Sequence, residues 1–179
     1  ERSYCAQATF SIAGPRDAYK YLAKSVSTEI MDVSATSPSP TVVEIRPLMN
    51  GGELPTQSIL DLIEEKLSAE TVRPLTDQVI VKAPDVVNYN LNLTYYIGRS
   101  NQAKTTEIQS AVNTAISDYI LWQRSVMGRD INPDELISRL KFAGAKRAVI
   151  PSPVFTITRP GDVAVCNSQT VTYGGVEDE

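Results

Sequence analysis

From Val86 to Ile97 the chain alternates with a period of two: Val87, Tyr89, Leu91, Leu93, Tyr95 and Ile97 fall on one side. Val86, Asn88, Asn90, Asn92, Thr94 and Tyr96 fall on the other. Successive side chains of an extended chain point to opposite faces, so this pattern of β-branched and aromatic residues specifies a half-buried strand. A proline break at Ala83-Pro84 precedes it and helical patterns flank it. The reading that follows is an α+β protein of two small sheet-plus-helix subdomains, residues 1–85 and 86–179, joined at this long central strand.

The first half reads α-β-β-α-β. Phe10 and Ile12 form a strand-like lead-in. Gly14-Pro15-Arg16-Asp17 opens a helix whose stripe is Ala18, Tyr19, Leu22, Ala23 and Val26, with proline and an acid in a first turn that suits both. Strands are expected over 29–37 and 41–48, linked tightly by Ser37 to Pro40 as an antiparallel hairpin. Met49 to Glu53, with its glycine pair, is expected to be a flexible loop. Pro55 opens a helix lined by Ile59, Leu60, Ile63 and Leu67, Arg73-Pro74 ends that unit, and Val79 and Val81 mark a third strand.

The second half reads β-α-α-β with a further hairpin. A turn over 98–102 leads to a helix over 103–127, striped by Ile108, Val112, Ala115, Ile116, Tyr119, Trp122 and Val126. Asn132-Pro133-Asp134-Glu135 is the best helix start in the chain, with an asparagine cap, proline at the first position and glutamate at the capping-box position. Leu136, Ile137, Leu140 and Phe142 follow, and Gly144 closes the helix. Short strands are expected over 148–150, 154–157, 163–166 and 170–173, before a frayed acidic tail.

Composition narrows the function. The chain has no histidine, which removes Ser-His-Asp and Cys-His catalysis in their usual forms and histidine-ligated metals. Its net charge is −4; residues 1–85 carry 8 basic and 12 acidic residues and residues 86–179 carry 9 of each, so neither half has the basic character of a nucleic-acid binder. Cys5 and Cys166 lie far apart with no Cys-x-x-Cys pair, and are expected as reduced thiols rather than a zinc site. No apolar run is long enough to span a bilayer. The chain starts at Glu1, not methionine, as expected of a piece of a longer protein.

Phosphate loops, dinucleotide fingerprints and calcium loops are missing from the sequence. Of the acids that a glycosidase would need as a pair, Glu64 and Glu65 are neighbours on a helix exterior. Asp134 and Glu135 are explained by capping, and Asp77 and Asp85 flank a strand. Trp122 with Tyr119 and Phe142 is expected as core packing rather than as a stacking platform. Catalytic, cofactor-binding and metal-binding residues are therefore expected to be none. Partner contact is expected at Met49, Asn50, Gly51 and Gly52, and on the uncharged strand face of Asn88, Asn90, Asn92 and Tyr96, where a partner docks without desolvating charge.

Several stretches in succession resemble the phage baseplate J-like family. They are Glu1-Arg2 with Ala13-Gly14-Pro15-Arg16-Asp17-Ala18-Tyr19, and Ile30-Met31-Asp32-Val33, then Ser37-Pro38 and Val42-Val43-Glu44-Ile45. After these come Arg73-Pro74-Leu75-Thr76-Asp77-Gln78-Val79-Ile80-Val81 with Ala83-Pro84, and Met127-Gly128-Arg129-Asp130-Ile131-Asn132 with Gly144-Ala145-Lys146-Arg147-Ala148. Two positions depart from the family pattern: Gly144-Ala145 stands for Gly-Val, and Ser39-Pro40 for a glycine. The resemblance implies the C-terminal portion of a wedge protein of contractile-tail baseplates, phage or phage-derived. It implies six-fold rings, other wedge and tail proteins as partners, and a homo-oligomer in the full-length protein. It also implies assembly in the host cytoplasm into the virion tail, with no cofactor, nucleic acid or membrane. Two alternatives remain open at this point, a tail-associated glycan-hydrolysing enzyme and a carbohydrate- or protein-binding module.

Overall fold

A computed structural model describes residues 16–69 and 78–178. The lead-in of Phe10 and Ile12, Gly14-Pro15, Cys5, the Arg73-Pro74 break and Asp77 lie outside the described residues. Among the described residues the fold is α+β, with two three-stranded sheets of order β1-β2-β3 and β5-β4-β6, and the chain divides into two compact units. The first takes the chain through Asp85 together with 125–128 and 159–163; the second takes 86–124, 129–158 and 164–179.

In the first unit, α1 (Arg16–Lys24) precedes β1 (Ile30–Ser39) and β2 (Val42–Met49). The two strands are antiparallel, pairing Val33 with Pro47 and Ala35 with Ile45. The hairpin reverses at Pro40-Thr41, with Thr41 at φ 67°, not across the whole of Ser37 to Pro40. Strand β1 runs through Pro38 because it is a sheet edge and its register shifts between Thr36 and Ser39, so the missing proline donor interrupts no ladder bond. Helix α2 (Gln57–Ser68) is the crossover that lets β3 (Gln78–Val81) pair in parallel with β2, Val79 beside Val43. Tyr19, Ala23, Val33, Ile45, Ile63, Leu67 and Val79 form the core.

The Met49–Glu53 segment is an ordered turn, in place of the expected flexible loop. A short 3₁₀ turn spans Asn50–Gly52, and Asn50 N donates to Glu29 O at 2.7 Å while Met49 N donates to Glu53 O at 3.0 Å. Gly51 and Gly52 sit at φ 69° and 75°. Left-handed angles at both positions fold the chain back on itself, which glycine adopts without a steric penalty.

The second unit is built on β4 (Asp85–Gly98), the middle strand of its sheet. Tyr89, Leu91, Leu93, Tyr95 and Ile97 are buried as the alternation requires, beneath α3 (Thr105–Arg124) and α4 (Pro133–Phe142). Helix α3 is shorter than the expected 103–127. A 3₁₀ segment, Arg99–Lys104, precedes it, and the chain turns after Arg124 towards Gly128 at φ 70°. Its buried stripe ends in Gln123, whose Nε2 donates to the carbonyls of Arg129 and Asp130 at 2.9 and 3.1 Å, closing the link to α4. Tyr119 adds an O–H bond to Asn132 O at 3.2 Å.

The start of α4 follows its sequence signal: Asn132 Oδ1 accepts from Asp134 N at 2.9 Å, with Pro133 at the first position. Glu135, however, turns to Arg139 Nε at 2.8 Å.

Strand β5 (Arg147–Ser152) runs antiparallel to β4. The expected strand over 154–157 is a loop, held by a single two-way bridge between Thr156 and Ile131. The expected C-terminal hairpin is one long strand, β6 (Asp162–Glu177). Ala164 and Cys166 face the core, and then Val171 and Tyr173 do. The inward set thus changes from even to odd numbers, so the polar Asn167–Gln169 stretch that looks like a turn in sequence is absorbed as an irregularity within an edge strand. Contacts of Ser168 with Asn90 and of Tyr173 with Tyr95 advance together along β4 and β6, as a parallel pair requires.

Candidate protein-contact surfaces

Among the described residues, the acids singled out by sequence are engaged locally or open to water. Glu64 and Glu65 are exposed on α2. Asp85 Oδ2 lies 2.7 Å from Arg46 Nη1, and Arg46 Nε lies 2.7 Å from Glu44 Oε1. Burial pushes the Glu44 carboxyl up, but Arg46 and Lys82 outweigh it and bring it below its ordinary value. Gly161 lies against this cluster: a Cβ there would stand 2.7 Å from Arg46 Cδ. Three further carboxylates, which sequence reasoning missed, tie loops down. Asp32 accepts from Met127 N at 3.0 Å, Asp130 from Thr158 N at 2.9 Å, and the buried Asp162 from Arg159 N at 3.0 Å. Among the described residues no group of three His, Cys, Asp or Glu side chains converges as a metal site.

Trp122 is half-buried beside Tyr119, with ring centroids 6.0 Å apart. The guanidinium carbons of Arg129 and Arg139 lie 4.1 and 5.3 Å from its ring, and Arg129 also donates to the Trp122 carbonyl. Cys166 donates its thiol to Ser168 O at 3.3 Å, and burial pushes the thiol pKa up.

Of the contact candidates, Met49, Asn50, Gly51 and Gly52 belong to the ordered turn of the first unit; Asn50 is exposed and Gly52 buried. Asn88, Asn90, Asn92 and Tyr96 share the outer face of β4 in the second unit, and the three asparagines are exposed. Asn90 joins all three strands. Its carbonyl accepts from Ser152 Oγ of β5 at 2.6 Å, and its Oδ1 accepts from Ser168 Oγ of β6 at 2.9 Å. Tyr96 is engaged within the unit. The Arg147 guanidinium lies 4.1 Å from its ring centroid, and a Cβ on Gly174 would fall 2.4 Å from its Cε1. Arg147 Nε in turn donates to Glu177 Oε2 at 3.1 Å, which holds the Glu177 carboxyl below its ordinary value.

Sequence reasoning also missed the exposed apolar side chains. Phe142, expected in the helix stripe, is 98% exposed, and Val154, Phe155 and Ile157 are 68%, 58% and 77% exposed. The first of these had a signal: Leu136 and Leu140 set the buried side of α4, and a residue two places beyond Leu140 lies some 200° round the helix. Among the described residues, no helix is long and apolar enough to cross a membrane.

Residues 11–83 match the Baseplate J-like central domain, and residues 87–174 match the Baseplate J-like protein C-terminal domain. Baseplate protein J of Escherichia phage P2 is 30% identical over 171 residues, which cover 94% of this chain and 55% of that protein. The chain thus spans about half the length of that relative. A chain in the cryo-EM structure of the anti-feeding prophage baseplate, 6-fold symmetrised, has a similar fold, with a TM-score of 0.51 and 16% identity over 83% of this chain and 36% of that one. With both of its halves matched in order to successive domains of one kind of protein, the chain belongs to the baseplate J-like family.

Proposed function

We propose that this chain is the C-terminal portion of a structural protein of a contractile-tail baseplate, in a phage or a phage-derived injection device. In this reading it works through protein–protein contacts in a wedge or ring. The observation that carries the reading is the tandem match of central and C-terminal baseplate J-like domains, in order, over residues 11–83 and 87–174. The similarity to a protein named for the baseplate of phage P2 supports it. The partners are other wedge and tail proteins and further copies of itself, the place of work is the virion tail, and the role is non-enzymatic. In this reading the boundary at residue 85 separates two subdomains, with 125–128 and 159–163 joining the first. Nothing in the arrangement of acids or around Trp122 favours the hydrolase or sugar-binding alternatives.

The contact surfaces in this proposal are the Met49–Gly52 turn and the Asn88, Asn90, Asn92 face. An open sheet face of amides and hydroxyls without formal charge suits a wet interface, in which water bridges the partners and no ion is stripped of its shell. The test uses the intact protein mixed with its tail partners and imaged by electron microscopy. Incorporation into baseplate particles is expected, and Asn90→Arg is expected to abolish it while leaving the circular dichroism spectrum unchanged. An intact protein that never enters such particles would defeat the structural reading; normal incorporation of Asn90→Arg would remove the strand face alone.

A further inference from the structure

At one corner of the second sheet, three basic side chains converge on the acidic end of β6. Tyr96, near the end of β4, pairs with Arg147 at the start of β5, and its ring lies against Gly174 near the end of β6. The Arg147 guanidinium stacks on that ring, 4.1 Å from its centroid. It reaches Glu177 with two donors, Nε to Oε2 at 3.1 Å and Nη2 to Oε1. Arg99, just past β4, brings Nε to 2.5 Å from Asp178 Oδ1. Lys146 donates its ammonium to the Asp178 carbonyl and its backbone N–H to Tyr96 O, the latter at 2.9 Å. The acidic end that reads in sequence as frayed is thus held through Asp178.

These contacts are open to water: the side chains of Arg99 and Asp178 are 68% and 75% exposed, and that of Arg147 is 48% exposed. Ion pairs in such a setting are weak and screened by salt, so the end of β6 is held loosely enough to be exchanged. The cations, by contrast, are placed by the sheet itself. Stacking on Tyr96 orients the Arg147 guanidinium, and a planar guanidinium so held reads a carboxylate through two parallel bonds. Arg99 takes the carboxylate of the next residue, and Lys146 takes the main-chain carbonyl. Two successive carboxylates and a peptide carbonyl are the chemistry of an acidic peptide, not of an isolated anion. We propose that this corner is a binding site for an acidic peptide segment of a partner protein. Glu177 and Asp178 occupy it in cis, and the partner's segment binds by displacing them. A tethered occupant competes as if present at millimolar concentration, so the site stays masked against weak or sparse acidic segments. Through Tyr96 the corner continues the outer β4 face of Asn88, Asn90 and Asn92. It rests on the protein-contact reading of that face and gives one partner element a chemistry.

The test needs no baseplate component, so its failure leaves the assembly reading standing. Binding of fluorescein-labelled hexaglutamate to the intact protein is measured by fluorescence anisotropy at low ionic strength. Glu177→Gln/Asp178→Asn, which uncovers the corner, is expected to bind the peptide about tenfold more tightly than the parent. Glu64→Gln/Glu65→Gln changes the net charge equally on the exposed face of α2 and is expected to give no such gain. Adding Arg99→Gln and Arg147→Gln to the uncovered variant is expected to cancel the gain. Should Arg147→Gln disturb the fold, as read by circular dichroism, Arg99→Gln/Lys146→Gln leaves the Tyr96 stack in place and is expected to act the same way. The proposal is overturned by no gain on uncovering, by an equal gain from the α2 pair, or by a gain that survives loss of the basic side chains. Binding of labelled hexathymidylate as tightly as the peptide would overturn it too.

Discussion

Gly174 is the position at which a single methyl group tests how the second sheet is fastened. An added Cβ would stand 2.4, 2.6 and 2.8 Å from Cε1, Cζ and Cδ1 of Tyr96, distances no pair of carbon atoms tolerates. The backbone at Gly174 has no positive φ, so alanine fits the chain and the collision is with the ring alone. Gly174→Ala therefore forces the ring off β6 and away from Arg147, which lies 4.1 Å from its centroid. That cation–π contact is lost together with the seat of the ring on β6. With the lost ring packing, the expected destabilisation is about 1–2 kcal/mol, a fall in melting temperature of roughly 2–8 °C for a chain of this size.

Tyr96→Ala removes the same contact, so the two losses must not add. In a double-mutant cycle read by urea denaturation, Gly174→Ala/Tyr96→Ala is expected to be no less stable than Tyr96→Ala, with a coupling of about 1 kcal/mol in the rescuing direction. It gains further from the β-strand cost of glycine, about 0.5–1 kcal/mol, that alanine relieves. Additive losses, or a Gly174→Ala variant as stable as the parent, would show that the ring does not lie on Gly174 and would return Tyr96 to the set of free contact residues.

Other outcomes follow from single groups. Leu93→Ala and Leu136→Ala, both at 0% exposure, are expected to cost about 2–5 kcal/mol each by cavity formation, read as a fall in urea midpoint. Asn132→Ala removes the cap of α4 and is expected to cost about 1 kcal/mol, with faster hydrogen exchange in the first turn of that helix. Burial pushes the Tyr119 phenol up to about 12, with Cys166 and Glu135 adding to it and Arg139 opposing. The folded chain then holds a proton that the unfolded chain releases near 10, so stability falls as pH rises from about 10 to 12, by up to roughly 3 kcal/mol. Burial raises the Tyr89 phenol as well, and it titrates over the same range, so Tyr119→Phe should remove only the Tyr119 share of the fall in urea midpoints and Tyr119→Phe/Tyr89→Phe most of it.

How far the sequence discloses the fold depends on what its neighbours demand. The β4 alternation survives intact because both faces answer to the same rule: Leu91, Leu93 and Ile97 have a helical layer over them, and Asn88, Asn90 and Asn92 have none. The α4 start is legible for a similar reason, since Asn132 and Pro133 act within one turn. What is not legible depends on partners distant in sequence. Nothing local says that Gln78–Val81 returns beside β2 in parallel, which is a consequence of the α2 crossover. Asn167 to Gln169 reads as a turn because its polarity is that of turns, yet at a sheet edge the same polarity is solvated strand. Asp32, Asp130 and Asp162 each accept a backbone N–H, and single carboxylates of that kind leave no motif.

The contact candidates show the same division. The uncharged β4 face is visible as a period of two, but the engagement of Tyr96 by Arg147 and Gly174 depends on residues 51 and 78 positions away. Phe142 was within reach of helical geometry, and its exposure has a consequence. Leaving a phenylalanine side chain in water forgoes roughly 1.5–3 kcal/mol that burial elsewhere would return. Phe142→Ser should therefore leave the stability of an isolated copy within about 0.5 kcal/mol of the parent, as at other open surface positions. If thermal denaturation of the variant instead shows a loss of several kcal/mol, the ring is already covered within its own chain.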